Sequence, residues 1–571
     1  MKQEETAQDM VQHGLQEARR ALEAGNGKAA RDLLRTALEV APAEPSLHLA
    51  YALALRAVGD WGEARAACEK AVRMAPMTAA YHLAMGDILW KMNVVALARQ
   101  HYLVAVNLAP EEPLGHLKAG QIALWLDEIP EAEAFLQTAL QIAPEDPLVR
   151  NLELRLTCWK EVKDCSARNL PTQAGEALRK MLGLEEGDSR LFSLQLLNTM
   201  SRGKDVRLME LYTSTIGGLA GNTEVYLAEC EAGLHGDKLF NIFITTPPIC
   251  NGHLLKMWER TLCVLPAAKS VLALWNRVPS PRHGLPDSGF MRPWGDRDPM
   301  GLLHGTQPQL SFTAEELALG QATLERMGVP KGHPFICFHA RDEAYLNGDS
   351  HRKRDPDYHE YRNSNITWML PAMEAMHGRG YTAIRMGAHQ EKPVPTSCPG
   401  IIDYAKNGFR TEFMDIFLLA NCAFYMGGTS GTCIVPEIFR HPVAFVNFVP
   451  IDHLRSWNPT PLIFKKHYLE AEQRYLSLAE IFQRGAGAFL ETALFKQAGI
   501  RLEENTAEEI LALAIEVDER GKGIWVTTAE DERLQDRFWE VFKRHASPTL
   551  HGIYRARIGA AFLRSYAGLL E

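Results

Sequence analysis

Cysteine is sparse in this 571-residue chain, with ten residues in all, and no two of them have CxxC spacing. A zinc ribbon, a thioredoxin-like redox site and a disulfide scaffold are therefore excluded, and a reducing compartment is expected. No uninterrupted apolar run reaches the roughly 18 residues of a transmembrane helix. The polar N-terminus also lacks the apolar core of a signal peptide. We therefore expect a cytoplasmic protein with no transmembrane segment.

An excess of positive charge is missing as well. The chain has 61 basic and 70 acidic residues and a net charge of −9, so no general field for nucleic acid exists and no nucleic-acid partner is expected. Neither a Walker GK[ST] motif nor a GxGxxG fingerprint is found where a glycine-rich turn does occur. The length predicts about three to five domains.

The first quarter of the chain contains an internal repeat of 34 residues. The period connects Pro42, Pro76, Pro110 and Pro144, each preceded by alanine. Small residues repeat in phase at three further positions: Ala18, Ala52, Gly86 and Gly120; Ala30, Ala64, Ala98 and Ala132; Ala37, Ala71, Ala105 and Ala139. Small residues let paired helices approach closely, and each proline ends the second helix of its pair. The turns between paired helices are predicted at Gly25, Gly59, Asn93 and Asp127.

This pattern resembles the tetratricopeptide repeat, whose period is about 34 residues. We place four repeats at about 9–42, 43–76, 77–110 and 111–144, with a capping helix near 145–160. The resemblance implies an α solenoid over 1–160 whose concave groove binds a peptide or protein. The alternative is that the repeats only dimerise the protein or brace the next domain.

From about residue 165, apolar β-rich runs alternate with helical patterns. Strands are predicted at 206–215, 238–246, 334–342, 381–387, 400–405, 423–428 and 442–450, with a helix at 411–422 capped by Thr411. This order is typical of parallel sheets with right-handed crossovers. We predict one α/β domain at 161–320 and a second at 321–571. The second includes a tail, 475–571, that is predicted to be mostly helical.

The strongest candidate site follows the strand that begins at 334. His339, Arg341 and Asp342 supply a base, a phosphate-binding fork and an acid within one turn, where open parallel sheets bind ligands. A structural arginine–aspartate pair is the alternative. A metal site is not expected; an acidic pair at Asp355 and Asp357 lies in a loop rather than at a strand end.

A second cluster comes from the turn Gly427-Gly428-Thr429-Ser430-Gly431, between a strand and a helix. Its glycines, hydroxyls and helix amides suit phosphate, although such turns are also common without function. Glu437, two helical turns further on, either reaches a ribose or faces solvent.

The remaining candidates are less specific. Arg385, with Gly387, closes an apolar strand and serves either a ligand or a salt bridge. The long loop 342–366 is expected to be a lid over the site, and its members Tyr361, Arg362 and Asn363 are expected to cap it. In the first α/β domain the turn after the first strand, with Thr215, Gly217 and Gly218, either approaches a ligand or is a plain connection.

Two Rossmann-like domains in succession resemble a GT-B glycosyltransferase. The stretches ELYTSTIGGLAGNTEVYL, LLKMWERTL, FHARDEAYL, YRNSNI, GYTAIRMG and ARIGAAFLRSY resemble a family of bacterial glycosyltransferases associated with surface glycans. The resemblance implies a nucleotide-sugar donor bound by the C-terminal domain, an acceptor bound by the N-terminal one, and no metal or other cofactor. The fusion to repeats is similar in layout to flagellin glycosyltransferases, in which the solenoid binds the acceptor protein.

The sequence therefore favours a glycosyltransferase that acts on an acceptor protein, with flagellin as one candidate. Arg341, Arg385 and residues 428–431 would stabilise the leaving nucleotide, and either His339 or Asp342 would be the base. Two alternatives stay open. One is a surface-polysaccharide glycosyltransferase whose repeats recruit an assembly partner, and the other is a non-enzymatic scaffold with a decayed GT-B module.

Overall fold

The structure is a computed structural model that describes residues 2–92, 94–168, 170–183, 206–235, 240–245, 247–266, 296–341, 360–387 and 393–570. The chain divides into two compact units, one that includes Met1–Val206 and one that includes Arg207–Leu272 and Arg282–Glu571. Across the described ranges, no helix is both long and apolar enough to cross a membrane. Asn93 and Asp342, both named above, lie outside these ranges, as do Asp355, Asp357 and most of the expected lid.

The first unit consists of helical pairs. Its helices are α1 (Lys2–Glu23), α2 (Gly27–Val40), α3 (Pro45–Val58), α4 (Trp61–Met74), α5 (Ala79–Lys91), α6 (Val95–Leu108), α7 (Pro113–Trp125), α8 (Ile129–Ile142), α9 (Pro147–Ala167) and α10 (Pro171–Gly183). The second helix of each predicted repeat ends two residues before its proline, as predicted. Helices continue beyond residue 160. Helix α9 is longer than the capping helix predicted near 145–160, and α10 packs against it.

Each repeated residue type has a physical reason in the packing. Gly25, Gly59 and Asp127 have positive φ values of 74°, 84° and 63° at the turns between paired helices, where a left-handed residue ends the first helix. Gly86 is glycine because a Cβ there would lie 2.4 Å from the ring of Tyr102.

The structure also reveals a repeat that our sequence reading missed. His48, His82 and His116 are spaced by 34 residues, and each Nε2 donates to the carbonyl of the proline that ends the preceding repeat. The three distances are 2.8, 2.9 and 2.9 Å. These bonds fasten each repeat to the next one.

The second unit begins with a three-stranded sheet. Its strands are β1 (Val206–Leu211), β2 (Phe240–Thr245) and β3 (Cys263–Pro266), in that order, with β2 and β3 parallel. The helices α11 (Thr223–Glu231) and α12 (Gly252–Glu259) follow β1 and β2. The segment expected to be a glycine-rich turn is helical instead, because a π-helical stretch, Gly218–Asn222, leads directly into α11.

Helix α13 (Ala314–Arg326) then leads to a five-stranded sheet, whose strands are β4 (Phe335–His339), β5 (Thr382–Arg385), β6 (Ile401–Asp403), β7 (Tyr425–Gly427) and β8 (Val443–Phe445). Their spatial order is β6-β5-β4-β7-β8, and every neighbouring pair is parallel. Helices α14 (Leu370–Gly378), α15 (Glu412–Asn421) and α16 (Ile434–Ile438) connect the strands. Thr411 caps α15 by accepting from the backbone N–H of Met414, as predicted.

The remaining elements are β9 (Pro461–Leu462), β10 (Lys466–Leu469), β11 (Arg474–Tyr475), α17 (Leu478–Gln483), α18 (Thr492–Gln497), β12 (Ile500–Glu503), α19 (Ala507–Gly521), α20 (Ala529–His545), β13 (Arg557–Ile558) and α21 (Ala560–Tyr566). The tail is therefore less uniformly helical than expected. Both α/β parts belong to one compact unit, and α13 spans the boundary that we predicted near residue 320.

Candidate functional site

The five-stranded sheet has a topological switch point between β4 and β7. The chain leaves β4 toward β5 and β6 on one side and returns to β7 and β8 on the other. Parallel sheets bind ligands at the carboxyl ends of the strands beside such a point. The two strands that flank it end at His339 and Gly427, which lie opposite each other in the register.

His339 lies buried among positive charges, with 7% of its surface exposed. Burial, together with the charges of Arg385, Arg341 and Arg362, lowers its pKa to about 4. Three of the arginines predicted as site residues therefore surround one imidazole. At neutral pH that imidazole carries no charge, so it is able to accept a proton.

Hydroxyl groups connect His339 to the glycine-rich turn. Ser430 Oγ lies 3.5 Å from His339 Nδ1 and 2.7 Å from Thr432 Oγ1. Tyr425 Oη lies 3.4 Å from Ser430 Oγ and 3.2 Å from Thr432 Oγ1. Burial raises the pKa of Tyr425, so its phenol stays protonated and fixes these hydroxyls.

Arg362 holds the glycine-rich turn from outside. Its Nε and Nη2 donate to the carbonyl of Thr429 at 3.0 and 2.5 Å. Thr429 Oγ1 donates to the carbonyl of Val449 at 3.1 Å. Helix α16 is only five residues long and is preceded by a 3-10 turn, Gly431–Cys433, so the helix predicted after the glycine-rich turn is present but short. The conformation of this turn is therefore held mainly by hydrogen bonds from Arg362 and to Val449, and less by the start of a helix.

Arg385 makes the salt bridge that was one of its two predicted roles. It is 1% exposed, and its Nη1 lies 3.2 Å from Asp403 Oδ2, across the register from β5 to β6. Gly387, just beyond β5, has a φ of 148°, which favours glycine.

Glu437 neither faces solvent nor is free of partners. Its side chain is 11% exposed, and it accepts from Arg455 Nη1 at 2.7 Å and from Trp457 Nε1 at 2.8 Å. Arg455 also pairs with Asp296, so these groups brace the wall of the sheet. A role for Glu437 at a ribose stays a prediction.

The lid residues are placed differently from one another. Tyr361 is buried against Phe495, with ring centroids 5.7 Å apart, and its backbone N–H donates to Thr492. It therefore anchors the segment rather than capping a cavity from solvent. Arg362 reaches the turn, and the backbone carbonyl of Asn363 accepts from a buried lysine, Lys465.

The residues predicted from the first α/β part meet the glycine-rich turn. Thr215 Oγ1 accepts from the N–H of Gly218, which caps the helix entering α11. A Cβ on Gly217 would lie 3.3 Å from Gly431 Cα, and one on Gly431 would lie 3.0 Å from Gly217 N. Glycine at both positions therefore permits a close backbone approach between the two turns. Gly218 packs instead against the ring of Tyr212.

Three residues of the site were missed by sequence reasoning: Asp403, Tyr425 and Thr432. Asp403 lies within the predicted strand 400–405, directly after two isoleucines, so the rule that selected Arg385 at the end of an apolar run would have found it. Tyr425 lies inside a buried strand, and nothing local distinguishes it from a core residue. Across the described part of the chain, no group of three or more His, Cys, Asp or Glu side chains is placed to hold a metal ion.

Residues 15–77 and 83–147 match the tetratricopeptide repeat family. Together with the helical pairs, this match shows that the N-terminal region is an array of tetratricopeptide repeats, which are typical of protein interaction. No match was found among curated proteins.

Solved structures similar to the chain include three from different proteins, two of them named as tetratricopeptide-repeat structures. PilF of Pseudomonas aeruginosa is 19% identical, with a TM-score of 0.27, covering 34% of this chain and 86% of its own. TTC0263 of Thermus thermophilus, a tetratricopeptide-repeat protein, is 19% identical, with a TM-score of 0.25, covering 34% and 99%. The first such domain of Spaghetti (RPAP3), bound to an HSP90 peptide, is 16% identical, with a TM-score of 0.20, covering 21% and 94%.

Proposed function

We propose that this chain is a glycosyltransferase that moves a sugar from a nucleotide-sugar donor to an acceptor protein held by the repeats. In this proposal the two α/β parts form a GT-B arrangement, and the carboxyl edge of the five-stranded sheet binds the donor. One observation carries it: Arg341, Arg362 and Arg385 surround a buried His339 beside a glycine-rich turn at the switch point.

The chemistry follows from charge. Breaking the bond between sugar and phosphate leaves negative charge on the phosphate, and preorganised cations stabilise it. Arg341, Arg385 and the 428–431 turn supply that stabilisation. His339 takes the proton of the acceptor hydroxyl, and Asp342, outside the described residues, is the alternative base. Phosphate placed among the arginines raises the pKa of His339 again, so donor binding makes the base stronger.

A thermal-shift screen of CMP-, GDP- and UDP-sugars tests the donor site, because a ligand of the native state raises the melting temperature. One donor should stabilise the wild type, and Arg341→Gln should abolish both that shift and sugar transfer. Arg533→Gln, which removes an exposed arginine paired with Glu530, is the matched control. Full transfer by the Arg341 variant would contradict the assignment.

The acceptor surface is proposed on the first helices of the repeats, which pack on one another from α3 to α5 and from α7 to α9. Trp90 on α5 and Trp125 on α7 are both half-buried, with ring centroids 5.6 Å apart. Beside them Asp87 lies 2.9 Å from Lys118 and 3.7 Å from Arg56. The surface therefore offers an aromatic pair beside a carboxylate that is already paired with two basic side chains, which suits an apolar segment of the acceptor.

Replacing Trp90 and Trp125 together with alanine should abolish transfer to the acceptor protein. Transfer to a small glycan acceptor should continue, because the donor site is untouched. Trp61→Ala, on the second helix of its repeat, is the control. Equal loss for both kinds of acceptor would contradict recruitment by this surface, and unchanged transfer to protein would favour the polysaccharide alternative.

A further inference from the structure

The edge of the sheet extends one strand beyond β8. The backbone N–H of Ile463 donates to Phe445 O at 2.8 Å, that of Phe448 to Ile463 O at 3.1 Å, and that of Lys465 to Phe448 O at 3.2 Å. Residues 461–465 thus run parallel to the strand before them. Lys465 consequently emerges at the same carboxyl edge as His339 and the glycine-rich turn.

Lys465 is a buried cation with little to balance it. It is 4% exposed, and its Nζ donates to the backbone carbonyl of Asn363 at 2.6 Å. Within the described residues, no carboxylate lies within ion-pair distance of this ammonium group. The two carboxylates whose charge reaches it are engaged elsewhere: Glu360 pairs with Lys496 and Glu504 accepts from the N–H of Asn365.

An ammonium group has three donors, and a buried one is costly unless it is paired. Burial lowers the pKa of Lys465, which is the physical sign of that cost. An anion bound beside Nζ would remove it. The free protein therefore keeps a charge in place that a bound anion would stabilise.

The surroundings of Lys465 connect it to the glycine-rich turn. Asn363 follows Arg362, whose guanidinium binds the carbonyl of Thr429. The side-chain Oδ1 of Asn363 is itself buried, and it has no hydrogen-bond partner among the described residues. A cationic donor and an unused acceptor thus lie next to the segment that holds the turn.

We propose that Lys465 is a phosphate ligand of this site: its Nζ binds a phosphoryl oxygen of the ligand held at residues 427–431, while Asn363 Oδ1 accepts from a hydroxyl of the same ligand. The identity of that ligand, a nucleoside diphosphate, rests on the proposed function. The binding of an anion by Lys465 does not. The competing explanation is that Lys465 merely anchors residues 360–365 through its bond to Asn363.

The two explanations differ in what Lys465→Met does. Methionine keeps the volume and removes a buried charge, a change that is often neutral or stabilising. If Lys465 binds phosphate, this substitution therefore leaves the melting temperature unchanged and weakens the binding only of ligands that contain phosphate. Loss of an anchor lowers the melting temperature and weakens nucleosides and nucleotides alike.

Isothermal titration calorimetry on the full chain tests this with UDP, GDP, uridine, guanosine and inorganic pyrophosphate. Lys465→Met should weaken the diphosphates and pyrophosphate at least tenfold, leave nucleoside affinity unchanged and keep the melting temperature. The neighbouring Lys466→Met is the matched control, because Lys466 pairs with Glu509 instead, and it should bind as the wild type does.

Equal affinity of wild type and Lys465→Met for the diphosphates would overturn the inference, and so would an equal loss for nucleosides. Pyrophosphate binding that depends on Lys465, without binding of any nucleotide, would support it while refuting the donor assignment. A wild type that binds neither pyrophosphate nor nucleotide would refute both.

Discussion

Replacing Gly427 with alanine should destabilise the second compact unit, whereas the same replacement at Gly428 should not. A Cβ on Gly427 would lie 2.5 Å from His339 O and 2.8 Å from Tyr425 Oη, while the nearest atom to a Cβ on Gly428 is Val446 O at 3.7 Å. Neither glycine has the positive φ that would itself favour glycine. A comparison of the two variants therefore measures the effect of the close approach of β4 and β7 without a contribution from backbone strain.

The magnitude follows from packing. At Gly427 the new methyl group must push apart two buried strands, and overpacking of this kind costs ~1–3 kcal/mol of unfolding free energy. Alanine at Gly428 meets only ordinary contacts, and it restricts the unfolded chain, which stabilises by about 0.4–1 kcal/mol. At roughly 2–4 °C per kcal/mol for a large domain, the two variants should differ by several degrees in melting temperature.

Differential scanning calorimetry of the full chain measures this difference in the transition of the second unit. The transition whose temperature rises when a nucleotide is added belongs to the second unit. A variant in the repeats should leave the temperature of that transition unchanged, which checks the assignment. Equal melting temperatures for the two variants would refute the reasoning, because they would mean that His339 and Gly427 are not held at the spacing described.

Two further predictions concern the repeats and the response to acid. Gly86→Ala should lower the stability of the first unit by ~1–3 kcal/mol, because its Cβ would meet the ring of Tyr102 at 2.4 Å. Gly120→Ala should cost less, since the nearest atom to its Cβ is the flexible end of Leu152, at 3.0 Å, and the next is Phe135 Cβ at 3.4 Å; equal melting temperatures would contradict this. Burial lowers the pKa of His467 to about 4, so below about pH 6.5 the unfolded chain binds a proton that the native chain does not. The stability contributed by this histidine is therefore lost as pH falls, by about 2 kcal/mol between pH 7.5 and 5. His467→Phe should flatten the pH dependence of unfolding by that amount, and an unchanged slope would contradict the assignment.

The repeats were predictable because their determinants are local. The prolines, the small residues and the turn residues act within one helical pair, so a period of 34 residues exposes them directly. The repeated histidines obey the same period and were within reach. What the period could not give is the end of the helical array, because α10 lacks the repeat pattern and is held by its packing on α9.

The sequence predicted those site residues that lie at the end of a single predicted strand. His339, Arg341 and the glycine-rich turn follow apolar strands, and parallel topology brings such ends to one edge. Contacts between distant segments were not predictable. The clamp of Arg362 on Thr429 spans 67 residues, and the bond from Lys465 to Asn363 spans 102. The sequence predicted Arg362, Asn363 and Thr429 as site residues but not which residues they contact, and no local pattern distinguishes Lys465 from the adjacent Lys466.

Charge explains why a buried histidine and a buried lysine share this edge with arginines. In the free protein burial lowers the pKa of both His339 and Lys465, and the charges of three arginines also lower that of His339. A bound diphosphate reverses the balance, because its negative charge favours the protonated form of both groups. On the proposed function, His339 is therefore a weak base until the donor is in place and a stronger one afterwards. Activation of the base after donor binding suits a transferase, because the acceptor hydroxyl has no sugar to attack while the donor site is empty.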